Sequence, residues 1–262
     1  MTALHIDPVS GIAWRVHGPA DGEPLMIGLP LMASFEAIFG PELRPVLDGY
    51  LAALTDRYRV LLLDYPSIGG SRDIPPQELT AERVCADLFA VADAAGFARF
   101  SYWGYSWGGG VGLQLASRGD GRLKALAIGG WPPLHGPYRA IADAAEIKQH
   151  DPEASSMKVL RSKAQYTQWI HYNRSVERGW DEATALIAMA VLPKLVYFGA
   201  NGDLVEAGIP VPIASLIRDN ADALQALGWE VLELSGVGHE ACMRPELFVP
   251  AVRAFLDHSL AG

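Results

Sequence analysis

The sequence predicts an α/β protein with a mostly parallel central sheet flanked by helices. Short apolar runs of strand length alternate along the chain with longer segments of helical periodicity, as expected for strands joined by crossover helices. Several of these runs are apolar at nearly every position, which is typical of strands buried on both faces. A G-x-S-x-G motif stands where one such run meets a helix. Together these features favour a covered sheet with a functional turn at one edge.

Seven strands are predicted from the apolar runs: Ile12–His17, Leu25–Pro30, Arg59–Tyr65, Arg99–Tyr105, Leu123–Gly130, Lys194–Ala200 and Glu230–Ser235. The clearest helix, Leu79–Ala95, has an apolar face, with Thr80 as a candidate N-cap and Gly96 beyond its end. Further helices are predicted over Ile213–Leu227 and Pro245–Leu260.

Ser106 is the predicted nucleophile. It lies in Gly104-Tyr105-Ser106-Trp107-Gly108, between the strand Arg99–Tyr105 and an amphipathic run over Val111–Ser117. A serine at a sharp strand-to-helix turn projects its hydroxyl above the sheet, and the helix N-terminus behind it offers N–H groups and the positive end of a dipole. The alternative is a glycine-rich turn that contains an incidental serine.

The long segment Trp131–Leu192 has helical periodicity and interrupts the alternation of strands and helices. We predict that residues 131–192 form a small helical cap on a core domain made of residues 1–130 and 193–262. Such an insertion follows a strand's carboxyl end, where α/β sheets bind ligands. The alternative is a pair of crossover helices with core aromatics. Candidate substrate contacts are Met32, Tyr105, Trp131, Tyr138, Tyr166 and Trp169, with His171 as a further candidate in the cap.

A serine hydroxyl needs a base to accept its proton, and the base is usually a histidine held by a carboxylate. Among seven histidines, only His239 follows a predicted strand in a glycine-flanked loop. Asp203 follows the strand Lys194–Ala200 in a similar loop, from which it would reach the other ring nitrogen. Glu206 competes as the acid, and Asp203 could also be an ordinary turn aspartate. The order Ser106, Asp203, His239 is the order expected for this arrangement.

Four segments together resemble the α/β-hydrolase superfamily, in a branch of serine hydrolases with a small cap after the sixth core strand. They are the elbow around Ser106, the Asp-Tyr-Pro-Ser-Ile-Gly-Gly-Ser run that starts at Asp64, the Gly-Ala-Asn-Gly-Asp run that ends at Asp203, and the Gly-Val-Gly-His run that ends at His239. The resemblance implies that Ser106, Asp203 and His239 are nucleophile, acid and base.

The resemblance is weakest at the loop that should complete the oxyanion hole. The family commonly has His-Gly after the third strand, whereas this chain has Gly-Leu-Pro-Leu-Met-Ala from Gly28. The hole needs two backbone N–H groups. Trp107 is predicted to supply one, and Leu31 the other with Met32 as the fallback, because Pro30 has no N–H.

Composition excludes several other functions. The net charge of −9 opposes binding to nucleic acids and to anionic membranes. The two cysteines, Cys85 and Cys242, are interpreted as free thiols in a reducing compartment, and no secretory leader or bilayer-spanning run is recognised. We therefore expect a cytoplasmic protein. No phosphate loop, dinucleotide loop or metal-ligand spacing is present in the sequence, so no cofactor and no metal are predicted.

These features predict a cofactor-free serine hydrolase acting on a small to medium carboxylic ester through an acyl-enzyme. A lactonase or a C–C bond hydrolase would use the same three residues, and the fold does not choose among them. A small-ligand binding protein without turnover is an alternative from another class. The predicted partner is a small-molecule substrate, and an apolar cap edge would serve equally as a lid or as the contact of a homodimer.

Overall fold

A sheet of eight strands forms the centre of the protein, in a computed structural model that describes residues 2–28, 30–119, 121–151 and 159–260. The strands are β1 (His5–Ile6), β2 (Ala13–His17), β3 (Glu23–Gly28), β4 (Tyr58–Leu63), β5 (Phe100–Tyr105), β6 (Leu123–Gly129), β7 (Lys194–Asn201) and β10 (Trp229–Gly238), in the spatial order β1-β2-β4-β3-β5-β6-β7-β10. The pairs β1–β2 and β2–β4 are antiparallel and all others are parallel.

The predicted α/β class and mostly parallel sheet are therefore confirmed. Each of the seven predicted strands is present, with ends shifted by a few residues. Strand β5 is buried at every position, as its unbroken apolar run predicted. Because β5 lies between β3 and β6, its carboxyl end opens near the middle of the sheet edge.

Two short strands in the loop after β7 were not predicted. They are β8 (Leu204–Glu206) and β9 (Ile209–Val211), which pair as an antiparallel hairpin. The turn between them contains Ala207 and Gly208, both with positive φ angles. This hairpin matters for the site because it carries Glu206.

The helices cover the sheet: α1 (Phe35–Phe39), α2 (Arg44–Leu54), α3 (Ala81–Ala94), α4 (Trp107–Arg118), α5 (Tyr138–Lys148), α6 (Lys163–Gly179), α7 (Glu182–Ala188), α8 (Ala214–Asp219), α9 (Ala221–Ala226) and α10 (Pro245–Ser259). Thr80 caps α3 as predicted, since its side chain accepts a hydrogen bond from the Arg83 N–H. The single helix predicted over Ile213–Leu227 is instead two helices, α8 and α9, separated at Asn220.

Helices α5, α6 and α7 lie in the segment predicted to be a cap, of which residues 152–158 are outside the described residues. The segment is tied to the core by α6: the Gln168 side-chain amide donates to Ser67 Oγ at 2.7 Å and to the Ile74 carbonyl at 2.9 Å. That these residues form a separate cap, with the predicted boundaries, remains a prediction. Over the described ranges, no helix combines the length and the apolar character that crossing a membrane requires.

Candidate active site

Ser106 stands at a sharp turn between β5 and α4. Its φ of 52° and ψ of −126° lie in a region that residues with a side chain rarely adopt, and such strain persists only where the surrounding structure enforces it. The close approach of the two elements explains one of the motif's glycines. A Cβ at Gly104 would lie 2.2 Å from the Gly108 carbonyl oxygen, so no larger residue fits there without a shift of the main chain.

His239 lies against this serine. Its Nε2 is 2.9 Å from Ser106 Oγ, a hydrogen-bonding distance at which the imidazole can accept the serine proton. The register of β10 against β7 shifts between Leu234 and Gly238, and a short 3-10 turn, His239–Met243, follows. A strand irregularity of this kind redirects the chain at a sheet edge. The structure thus brings together two of the three predicted catalytic residues.

The other ring nitrogen of His239, Nδ1, differs from Nε2 in its surroundings. Nδ1 is buried and makes no hydrogen bond to any of the residues that the structure describes. Burial lowers the pKa of the imidazole to about 4, against a weaker opposite effect of the Glu240 carboxylate, because charging the ring in this environment is costly. His239 is therefore neutral near pH 7, as a base that accepts a proton must be.

Asp203 makes no hydrogen bond to His239 Nδ1 in this structure, which differs from the predicted triad geometry. Its side chain is exposed, and its Oδ1 accepts hydrogen bonds from the N–H groups of Ile213 at 2.7 Å and Ser215 at 3.0 Å. Although partial burial acts in the opposite direction, the hydrogen bonds from Ser215 and Ile213 lower its pKa. The physical reason for the difference is that the start of α8 offers unpaired N–H groups that attract this carboxylate.

Two other carboxylates, Glu206 and Glu240, line the same cavity as Ser106 and His239, whereas Asp203 does not. Glu206, the competing acid, forms an ion pair with Lys148 of α5. Glu240 accepts a hydrogen bond from the Gly238 N–H at 3.2 Å. Sequence reasoning missed Lys148 because an isolated lysine at the end of a helix carries no signal of its own.

The predicted oxyanion-hole residues lie in two places, at the start of α4 and in the loop that follows β3. Trp107 is the first residue of α4, so its N–H has no acceptor within the helix. In the described part of the chain, neither the Leu31 nor the Met32 N–H donates a backbone hydrogen bond. The orientation of these groups toward a substrate oxyanion remains a prediction.

A buried carboxylate fixes the loop that carries Leu31. Asp64 is fully buried, and it accepts hydrogen bonds from the Ser34 N–H at 2.9 Å and the Gly70 N–H at 2.8 Å. Burial raises the pKa of Asp64, while these hydrogen bonds oppose the rise. Because the Asp64 motif and the Leu31 loop are joined through this one side chain, the first helps to position the second.

A cavity of about 640 Å³ opens beside Ser106 and His239. Its lining is mainly apolar, and the described residues on it are Phe39, Leu43, Ser106, Trp107, Ile141, Ala144, Ala145, Lys148, Val159, Leu160, Tyr166, Trp169, Asn201, Leu204, Glu206, Val211, His239, Glu240, Cys242 and Met243. Two of the predicted substrate contacts, Tyr166 and Trp169, belong to this lining. Trp169 packs on Trp107 with ring centroids 4.8 Å apart.

Four predicted substrate contacts and the further candidate His171 are not on this lining, which corrects the prediction for the described cavity. Met32 is buried in the core, and Trp131 packs on Tyr138 with ring centroids 5.1 Å apart. The Tyr105 side chain points to the main chain of His239, and its hydroxyl donates a hydrogen bond of 2.7 Å to the His239 carbonyl oxygen. These side chains are large and apolar enough to fill the core, which is the commoner use of aromatic residues.

No group of three or more His, Cys, Asp or Glu side chains within the described ranges is arranged to hold a metal ion. Cys242 lines the cavity but is buried, and burial raises the pKa of its thiol to about 12. It is therefore protonated at neutral pH and is a poor nucleophile beside Ser106.

Comparisons with known proteins agree with the fold described above. A family profile described as "alpha/beta hydrolase fold" matches residues 47–137. The chain is 31% identical over 134 residues to "Putative carbamate hydrolase RutD" of Caulobacter vibrioides, covering 50% of this chain and 46% of that protein. A protein of the same name from Azorhizobium caulinodans is 35% identical over 125 residues, covering 47% and 42%. The chain thus spans about half the length of the curated relatives it matches.

Solved structures extend the likeness to the whole fold. A thermophilic esterase from Thermogutta terrifontis superposes with a TM-score of 0.67 at 18% identity, covering 99% of each chain. The enol-lactonase from Burkholderia xenovorans LB400 gives a TM-score of 0.66 at 20% identity, covering 97% of this chain and 100% of its own. The sheet order and these matches show that the chain has the α/β-hydrolase fold.

Proposed function

We propose that this protein is a serine hydrolase that cleaves a small to medium carboxylic ester through an acyl-enzyme. The observation that carries the proposal is the 2.9 Å separation between Ser106 Oγ and His239 Nε2 at the wall of a largely apolar cavity. A nucleophile and a base within hydrogen-bonding reach are the minimal arrangement for this chemistry.

In the first half of the reaction, His239 Nε2 takes the proton of Ser106 while Oγ attacks the ester carbonyl carbon. The carbonyl oxygen becomes an oxyanion, which we propose is stabilised by the N–H groups of Trp107 and Leu31, with Met32 as the fallback for the second. When the tetrahedral intermediate collapses, the bond to the alcohol oxygen breaks and the imidazolium returns its proton to that oxygen. A water molecule then repeats the sequence on the acyl-enzyme and releases the acid.

We propose Asp203 as the acid of this site, in a conformation that differs from the one described. The imidazolium formed during attack needs a negative partner at Nδ1, and that atom is buried without one. Asp203 follows the neighbouring strand and is exposed, so it can leave the start of α8 at the cost of two backbone hydrogen bonds. Glu206 is the rival acid, but it would have to leave Lys148.

An ester with an apolar acyl or alcohol group suits the cavity because most of its lining is aliphatic or aromatic. Lactones and C–C bonds next to a carbonyl can be attacked by the same pair of residues and remain alternatives. A small-ligand binding role without turnover is the alternative outside catalysis. A small-molecule substrate without nucleic-acid or membrane partners, and a cytoplasmic location, belong to the same proposal.

A carbamate is the second candidate substrate, because the curated relatives at 31% and 35% identity carry that activity in their names. A small polar carbamate would leave much of a cavity of about 640 Å³ unfilled. The site therefore favours esters or carbamates that bear an apolar group.

The proposal is tested by measuring hydrolysis of p-nitrophenyl esters of increasing acyl length, with p-nitrophenyl carbamates in parallel. We expect turnover of esters that falls by roughly 10⁴-fold or more in Ser106→Ala. Ser117→Ala is the matched control, because Ser117 lies on the same helix and its hydroxyl bonds to Gln114 and Arg118 of that helix, away from the cavity lining. A folded Ser106→Ala protein with near-normal turnover would exclude the mechanism, and turnover of carbamates alone would replace the ester by the second candidate.

A further inference from the structure

The Tyr105 side chain is not on the cavity wall, although it immediately precedes the nucleophile in the chain. It is almost completely buried, and its ring lies against the His239 ring with centroids 5.2 Å apart and against the Tyr197 ring at 5.9 Å. Its hydroxyl donates a hydrogen bond of 2.7 Å to the His239 carbonyl oxygen. These two residues are separated by 134 positions, so the contact joins the elbow directly to the histidine turn.

The neighbouring strand leaves room for this arrangement. Gly130 follows β6 with a φ of +57°, and a Cβ there would lie 2.8 Å from Tyr105 Cζ and 3.0 Å from His239 Cε1. A side chain at this position would therefore displace the tyrosine ring, the histidine ring or both. The Gly-Gly pair at the end of β6 is therefore matched to the aromatic ring at the end of β5.

We propose that Tyr105 is a positioning residue that holds the main chain of His239 so that the imidazole stays directed at Ser106. The elbow then fixes the histidine at two points, with Ser106 at the ring and Tyr105 at the carbonyl. This matters because the usual support, a carboxylate at Nδ1, is missing in the described arrangement. The inference rests on the proposed function, since it assigns a role within the same reaction.

A second tyrosine on the same turn provides a matched control. The Tyr50 hydroxyl donates to the Cys242 carbonyl at 2.8 Å, and Tyr50 is as deeply buried as Tyr105. Each tyrosine therefore anchors one carbonyl of the turn His239–Met243, but only Tyr105 anchors the histidine itself. Replacing either by phenylalanine removes one buried hydrogen bond and keeps the ring.

The experiment compares Tyr105→Phe with Tyr50→Phe at equal extents of folding. We expect Tyr105→Phe to lower kcat about tenfold with little change in KM, while Tyr50→Phe stays within about threefold of the wild type, since misplaced catalytic groups affect the transition state more than binding. The rate at which a fluorophosphonate labels Ser106 should follow kcat. Equal losses in both variants, or no loss in Tyr105→Phe, would overturn the proposal.

NMR titration of the His239 ring separates this inference from the proposed function, because it needs no substrate. A ring that is less firmly held admits water, so Tyr105→Phe should raise the imidazole pKa toward its ordinary value, whereas Tyr50→Phe should not. If no ester is hydrolysed but this difference is seen, the proposed function fails and the positioning role stands. If Tyr105→Phe does not fold, a slowly exchanging Tyr105 hydroxyl proton in the wild type supports the anchor, and rapid exchange overturns it.

Discussion

The loops after β5 and β7 end at the same edge of the sheet, but they hold their functional side chains in different ways. The turn after β5 is fixed by steric contacts: Ser106 is confined between two elements that approach too closely for any residue except glycine at position 104. The loop after β7 extends through the hairpin β8–β9 before α8 begins. Its acidic side chains, Asp203 and Glu206, are held by hydrogen bonds and an ion pair to neighbouring groups.

The difference has a physical origin. In the elbow, the backbone geometry itself orients Ser106, so no hydrogen bond of the side chain is needed to hold it in place. Asp203 and Glu206 are oriented by their partners, a pair of backbone N–H groups and the Lys148 ammonium. Hydrogen bonds and ion pairs that stay partly accessible to solvent, as these are, contribute little net free energy. Ser106 is thus rigidly preorganised, while the carboxylates of Asp203 and Glu206 can exchange partners.

The largest expected effect in this comparison comes from Asp203→Asn. The amide oxygen can still accept the hydrogen bonds from Ile213 and Ser215, so stability should change little. If Asp203 moves to His239 during turnover, loss of its charge should lower kcat roughly 10²- to 10³-fold. The measurement is steady-state kinetics on the preferred ester, with thermal unfolding as the check on the fold.

Glu206→Gln is the control for that variant, because Glu206 is the other carboxylate of the same loop. We expect it to retain kcat within about threefold. A greater loss in Glu206→Gln than in Asp203→Asn would assign the acid to the hairpin, and unchanged rates in both variants would mean that Ser106 and His239 act without a carboxylate.

The pH dependence of kcat/KM examines the same comparison in the free enzyme. Burial lowers the pKa of His239 to about 4, and only the neutral ring is a base, so activity should persist to about pH 5 and fall through pH 4. A carboxylate at Nδ1 would favour the charged ring and raise this pKa. If the acidic limb had a pKa near 6.5, kcat/KM at pH 5 would be roughly thirty-fold below its value at neutral-to-alkaline pH.

Comparing the pH profile of the wild type with that of Asp203→Asn shows whether Asp203 contacts His239 in the resting enzyme. An acidic limb near pH 4 in both proteins would mean that Asp203 is away from the histidine in the resting enzyme, as described. A limb near neutral pH in the wild type that moves to lower pH in Asp203→Asn would mean that the carboxylate already contacts His239 in solution. Circular dichroism at each pH separates protonation of the ring from acid unfolding.

The features fixed by local backbone geometry could be predicted from the sequence, whereas those that depend on the partners of a side chain could not. The strands and the Ser106 turn depend on local patterns, namely apolar runs and glycines at a tight turn, so they could be predicted one segment at a time. The position of His239 beside Ser106 could also be predicted, because a strand end and a glycine-flanked loop are local features. The contact of Asp203 depends on the path of a long loop relative to α8, which no local pattern specifies.

The surroundings of the aromatic residues in the 131–192 segment could not be predicted from local sequence patterns either. Composition indicated a surface rich in aromatic rings, but whether a ring faces the cavity or the core depends on how the helices are rotated. Trp169 lies on the cavity wall, whereas Trp131 is fully buried against Tyr138. Their positions in the sequence are equally compatible with either environment.

The smallest expected effect comes from this segment. Trp169→Ala removes an indole that lines the cavity and packs on Trp107, so apolar substrates lose contact area but the reacting groups stay in place. We expect KM for the longer acyl esters to rise about tenfold, corresponding to about 1.4 kcal/mol of binding free energy, with kcat within about threefold. Trp131→Phe is the control, which should lower the unfolding temperature and leave KM unchanged. If Trp169→Ala lowered kcat instead, the 131–192 segment would act on the geometry of Trp107 and the elbow rather than on substrate binding.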